Sequence, residues 1–136
     1  MSQANVEVMQ AAYEAWDAGD LDALGEMHDP AVIARYPEGW PEPGPFIGRE
    51  AVMRQLAQLR ETWDADKTEA RFIDAGDRVV VTGIWRAAGH GPAFALEGSA
   101  VYTLRKGRIS IIEYFWHEAE ALEAAGLSES DASPKP

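Results

Sequence analysis

The sequence predicts an α+β fold, with helices gathered in the first half and an antiparallel sheet in the second. Two observations carry this reading. Up to residue 63, apolar side chains recur at three- and four-residue steps, and from residue 67 onward the period falls to two. Breaks rich in Gly, Asp and Pro then divide the period-two region into hairpin-sized pieces.

The first helix is predicted over 5–18, where Val6, Met9, Tyr13 and Trp16 form one apolar stripe, Asn5 is placed to cap it and Gly19 to stop it. Asp20 should cap a short second helix whose Leu21, Leu24 and Met27 share a face, with Pro30 as its end. Residues 31–36, Ala-Val-Ile-Ala-Arg-Tyr, read as a short extended run. The following PEGWPEPGP holds four prolines and two glycines in nine residues, which excludes helix and central strand and predicts an ordered loop or lid. A third helix is predicted over 49–63, burying Val52, Leu56, Leu59 and Trp63.

Four β-rich segments follow: KTEARFI, DRVVVTGIWRA, FALEGSAVYTLR and RISIIEYFWH. Turns are predicted at 74–77, at the Gly-His-Gly-Pro of 89–92 and at 105–108. EAEALEAAG should form a last helix closing at Gly126. Residues 1–127 therefore read as one domain, with 128–136 as a frayed tail, and no repeat or linker interrupts them.

The chain has 136 residues, 46% of them hydrophobic, enough to build a core. It lacks cysteine, which excludes disulfides, thiolate metal sites and a cysteine nucleophile. Twelve Lys and Arg against 23 Asp and Glu give a net charge of −11, opposing nucleic acid and anionic membranes as partners. The N-terminal MSQANVEVMQ has no basic-then-apolar leader and no run is long enough to span a bilayer, so a cytoplasmic location is expected.

Five stretches in order, AGDLDAL (18–24), GREAV (48–52), FIDAGDRVVV (72–81), TLRKGRI (103–109) and ALEAAGL (121–127), give the chain its resemblance to the SnoaL-like group of the nuclear transport factor 2-like superfamily, which also holds ketosteroid isomerases and limonene epoxide hydrolases. Each motif is weak alone, but the ordered set is specific for fold. The resemblance implies a curved antiparallel sheet wrapped around the N-terminal helices, forming a cone with an internal cavity, in a protein that commonly dimerises. It does not fix an activity, because one fold hosts many chemistries.

Position by position, the resemblance puts Tyr36 where ketosteroid isomerases carry their aspartate base. Their oxyanion-binding tyrosine falls near Ala12, and their protonated aspartic acid near Val101. The acidic residue of the name-giving polyketide cyclase corresponds to Tyr114, and its pocket histidine to Tyr102. A tyrosine does not replace a carboxylate that shuttles protons at neutral pH. The Asp-Arg-Asp set of the epoxide hydrolases has no counterpart that can be placed.

Strand alternation supplies the candidate walls. If Tyr114 points into the cone, Ile112 and Trp116 follow it, while Glu113, Phe115 and His117 face the other way. Tyr36, Glu38 and Tyr114 are the candidate catalytic residues, Glu38 being the carboxylate nearest the missing loop base. Tyr13, Trp40, Trp63, Trp85, Phe94, Tyr102 and Trp116 are the candidate ligand-binding residues, because five tryptophans exceed what packing a small domain requires. Trp16 and Trp63, at helical spacing, also read as core. Arg35, Arg86, Glu97 and Glu113 enter the cavity only if alternation so places them.

His117 reads as structural or interfacial, and His90 as a solvated turn residue. His28, His90 and His117 share no ligand-like spacing, so no metal site is expected. No cofactor is called for. Two functions stay open: a cofactor-free isomerase, cyclase or hydrolase acting on a small apolar molecule, or a non-catalytic binder of such a molecule, in either case as a homodimer. A carboxylate or histidine facing the cavity favours the enzyme, and purely aromatic and aliphatic walls favour the binder.

Overall fold

The structure, a computed structural model, describes residues 2–62, 64–65, 69–89 and 91–128, with side chains at all of these except 2, 62, 64–65, 85–89 and 91–96. Two helices open the chain, α1 (Ser2–Ala18) and α2 (Leu21–Glu26). Strand β1 (His28–Arg35) leads through the Pro-rich segment to β2 (Phe46–Ile47) and then to α3 (Arg49–Thr62). The sheet is completed by β3 (Asp64–Ala65), β4 (Glu69–Ala75), β5 (Arg78–Gly89), β6 (Gly91–Arg105) and β7 (Arg108–Phe115), and α4 (Glu118–Ala124) follows.

The strands form one curved, unclosed sheet in the order β2-β1-β7-β6-β5-β3, with β4 also paired to β5. All pairings are antiparallel except that of β1 with β7, which is parallel. Pairing of β1 with the last strand brings residues far apart in sequence side by side: Ala34 opposite Ile112, and Arg35 opposite Glu113.

Successive residues of the central strands face opposite cores, as the two-residue period requires. Val79, Val81, Ala100, Tyr102 and Ile112 join Met9, Ala12 and Val52 in the core between sheet and helices. Val80, Val101 and Ile73 instead face outward, where Ala121 and Leu122 of α4 cover them. Leu122, only 1% exposed, contributes about 1.5–3 kcal/mol through burial. A salt bridge from Arg71 to Glu118 fastens the start of α4 to β4. Its end closes as the sequence predicts on Gly126, whose φ of +78° lets the Leu127 N–H reach the Leu122 carbonyl at 2.8 Å.

Three local expectations are corrected. Asn5 is not a cap, because α1 starts at Ser2; its side-chain amide donates instead to the Gly76 carbonyl at 3.0 Å, tying the helix to the β4–β5 turn. Pro30 does not end α2 but lies within β1. It is tolerated there because the β1–β7 register is irregular between His28 and Ile33, so no ladder bond needs its missing N–H. The last long strand stops at Phe115, leaving Trp116 and His117 beyond it. His117 sits at the N-cap of α4, exposed, where its carbonyl accepts from Glu120 and Ala121 N–H. Asp20 does cap α2 as expected, accepting the Ala23 N–H at 3.1 Å.

Candidate functional site

The concave face of the sheet and the helices enclose a cavity of about 210 Å³. One wall is α1, whose Met9, Ala12, Tyr13 and Trp16 recur at three- and four-residue steps and so share a face. Leu56 and Leu59 of α3 continue it. The sheet contributes Val81, Ala100, Tyr102, Ile112 and Tyr114, alternate residues of adjacent strands. Tyr36, Pro37 and Trp40 bring the Pro-rich segment over one side.

Aromatic rings form a continuous ladder along this space. Trp116 meets Trp40 at 5.9 Å between centroids, Trp40 stacks on Tyr36 at 5.2 Å, and Tyr36 stacks on Tyr114 at 4.5 Å. Tyr114 then meets Tyr102 edge-on at 6.4 Å, Tyr102 meets Tyr13 at 6.2 Å, and Tyr13 meets Phe72 at 5.4 Å. The Pro-rich segment is pinned to this ladder and to itself. Trp116 Nε1 donates to the Glu38 carbonyl at 2.8 Å, and the Tyr36 N–H donates to the Pro43 carbonyl at 2.8 Å.

Four phenolic hydroxyls run through the ladder. Those of Tyr13 and Tyr102 are hydrogen-bonded at 2.9 Å, and that of Tyr114 interacts with those of Tyr102 and Tyr36. Burial pushes the Tyr13 phenol up to about 12, with the Asp17 charge adding to the rise and the Tyr102 bond offsetting part of it. Tyr36, Tyr102 and Tyr114 are raised well above 10.0 for the same leading reason, loss of water around the phenolate. All four therefore stay neutral near pH 7, able to donate or accept hydrogen bonds but not to act as bases.

Two other ionisable side chains line the cavity among the described residues, Glu97 and His28. Glu97 is exposed. His28 is buried, 2% exposed, at the first position of β1. Its Nδ1 lies 2.8 Å from the Leu24 carbonyl, one helical turn back in the chain. Burial holds its pKa below 6.5, and the Arg49 guanidinium adds to that lowering against the effect of the Leu24 bond. Arg49 itself donates to the His28 carbonyl from Nε at 3.1 Å and from Nη2 at 2.5 Å.

Of the residues picked out from the sequence, Tyr13, Tyr36, Trp40, Tyr102, Tyr114 and Trp116 all line this cavity. Glu38 does not; its side chain is exposed, and only its carbonyl takes part, as the acceptor for Trp116. Arg35 and Glu113 pair in register on the outward row, away from the cavity. Trp63 and His90 lie outside the described residues, as do the side chains of Trp85, Arg86 and Phe94. Sequence reasoning passes over His28 and treats Trp16 as packing alone. The signal for His28 is its position four residues after Leu24, obscured by the Asp-Pro that follows it. No group of three His, Asp or Glu suited to a metal ion occurs among the described residues.

Comparison with known proteins locates this architecture. Residues 9–112 match the family model described as the SnoaL-like domain. No curated protein matches the sequence. Among solved structures, TerC co-crystallised with polyporic acid is 24% identical with a TM-score of 0.74, covering 90% of this chain and 98% of that one. Bal32a, from a soil-derived mobile gene cassette, is 20% identical with a TM-score of 0.78, covering 88% and 94% respectively. An NTF2-like protein of unknown function from Burkholderia pseudomallei K96243 is 25% identical with a TM-score of 0.71, covering 90% and 97%.

Proposed function

This chain belongs to the SnoaL-like domain family, and on that footing we propose that its cavity binds a small, largely apolar or aromatic molecule whose oxygen function is held by the tyrosine hydroxyls. The observation that carries the reading is the run of neutral hydroxyls, from Tyr13 through Tyr102 and Tyr114 to Tyr36, set in a wall that is mostly aromatic and aliphatic. Such a wall takes up apolar surface, while a few polar groups fix orientation. The co-crystal of TerC with polyporic acid supports a small-molecule role for a relative of this fold.

A second reading, a cofactor-free isomerase, cyclase or hydrolase, is favoured by one observation: a neutral histidine, His28, in the cavity wall. In that case a tyrosine hydroxyl would stabilise negative charge developing on a substrate oxygen. In either reading the protein acts in the cytoplasm as a homodimer. The outward row Ile47, Ile33 and Ile111 is available to the partner, and light scattering tests the dimer.

The function is tested by titrating wild type and Tyr114→Phe with steroid-like, polyketide-like and terpene-like compounds while following tryptophan fluorescence. Trp16, Trp40 and Trp116 line the cavity and should report occupancy. Saturable quenching by at least one class, weakened in the variant, is the expected result. Absence of binding from all three classes, or binding indifferent to Tyr114, overturns it. Turnover of a bound compound, lost in His28→Asn, would decide for the enzyme.

A further inference from the structure

We propose that His28 is the hydrogen-bond acceptor of the cavity, and that the molecule bound there presents to it a weakly acidic hydroxyl, a phenol or an enol. This rests on the reading of the cavity as a ligand site and specifies the chemistry of its occupant.

The tautomer comes first. A carbonyl oxygen only accepts, so the 2.8 Å contact with the Leu24 carbonyl places a proton on Nδ1 of His28. A neutral imidazole has one proton, which leaves Nε2 as a bare lone pair. Among the described residues nothing donates to Nε2, although the residue is 2% exposed and lines the cavity. A buried acceptor with no partner is costly, and its partner is ordinarily present in the working state.

The ring is also held in place. Leu24 fixes its Nδ1 edge, Arg49 grips its main-chain carbonyl through two nitrogens, and β1 pairs with β7 at Ile109. The Arg49 guanidinium opposes a second proton on the ring. His28 therefore keeps its lone pair at neutral pH and offers it from a fixed position.

The remaining walls narrow the partner. The tyrosine hydroxyls can donate to a ligand oxygen, so a carbonyl or ether is served by them and has no use for His28. Nε2 requires a donor, and an apolar cavity requires that this donor carry no charge. A neutral O–H on an aromatic or conjugated skeleton meets both demands. It also makes a stronger hydrogen bond than an aliphatic alcohol, because its proton is more acidic.

The test compares two probes of the same shape, 2-naphthol and 2-methoxynaphthalene, by calorimetry on wild type and His28→Asn. Asparagine retains an N–H for the Leu24 carbonyl and removes the Nε2 lone pair. The two-bond ¹⁵N–¹H spectrum of the His28 imidazole in ¹⁵N-labelled wild type is recorded with each probe. We expect Nε2 to be unprotonated in the free protein and to shift with 2-naphthol but not with the ether. The variant should lose about tenfold in 2-naphthol affinity and keep its affinity for the ether.

If both probes bind and the Nε2 resonance does not respond, His28 is not the anchor, while the cavity reading stands. Equal weakening of both probes in the variant also rules His28 out as the anchor. If neither probe binds, the cavity reading falls and the inference falls with it. Because the spectrum is taken on wild type, an unstable variant does not block the decision.

Discussion

Tyr36 and Tyr114 lie face to face, their ring centroids 4.5 Å apart and their planes 15° from parallel. The stack follows from register: Arg35 pairs with Glu113, so the next residue along each chain meets its counterpart on the cavity side. Through Tyr36 the contact passes on to Trp40, which joins the Pro-rich segment to the last strand by ring surface rather than by charge. The geometry of the cavity wall is thus set by a parallel pairing between the first strand and the last.

Within the hydroxyl run, the Tyr13–Tyr102 bond at 2.9 Å should show measurable coupling. Tyr102→Phe leaves the buried Tyr13 hydroxyl without this partner and should cost about 1–3 kcal/mol in urea unfolding. Replacing both tyrosines should cost less than the sum of the single changes, with a coupling of about 1 kcal/mol in the double-mutant cycle. Simple additivity would mean that the bond contributes nothing.

Acidification should lower stability in two separate windows. His28 is held below its ordinary 6.5, chiefly by burial. Above that value neither folded nor unfolded chain binds the proton, and the contribution is fully present. As pH falls below 6.5 the unfolded chain takes up a proton that the folded one refuses, so stability drops. Glu118 follows at lower pH. Desolvation raises its pKa, but hydrogen bonds from Thr82 and Arg71 outweigh that and hold it below 4.5, so its contribution is lost as pH falls through the folded value. Urea unfolding at a series of pH values should show the upper window in wild type and not in His28→Asn.

Trp116→Phe should loosen the Pro-rich segment without unfolding the protein. It removes the 2.8 Å bond to the Glu38 carbonyl, which water can replace because both residues are exposed. The stability loss should stay below about 1 kcal/mol. Ligand dissociation, followed by stopped flow, should become several-fold faster.

Gly44→Ala and Gly107→Ala separate two kinds of glycine requirement. Both backbones have positive φ, +87° and +76°. At Gly107 a methyl would meet nothing within 4 Å, so only the backbone penalty of about 1 kcal/mol applies. At Gly44 it would lie 2.8 Å from the Phe46 nitrogen and 3.1 Å from the Ala34 oxygen, both main-chain atoms. Gly44→Ala should therefore cost more than about 2 kcal/mol, read as the larger fall in melting temperature.

The helices and hairpins are legible in the sequence because each advertises its own period. The inward direction of Ile112 and Tyr114 follows from alternation alone, whereas Trp116 lies past the end of the strand. What escapes depends on contacts distant in sequence. That β1 runs parallel to β7 cannot be seen in either segment. Pro30 looks like a stop because only the irregular register beside β7 shows that its missing N–H is unneeded there. His28, just before it, is hidden for the same reason. Trp16 reads as packing because a helical stripe looks the same whether it meets a filled core or a cavity. Glu38 draws attention by nearness in the chain, in a segment where no period tells a buried side chain from a solvated one.

Val79, Val80 and Val81 are consecutive, yet the outer two belong to the cavity-side core and the middle one to the core beneath α4. Adjacent codons therefore govern different properties. Substitutions at 81 would reshape the cavity wall, while those at 79 and 80 would register as lost cohesion. A lineage can reshape the cavity wall from one side of β5 while the other side keeps the domain intact, so that novelty and robustness need not compete for the same residues.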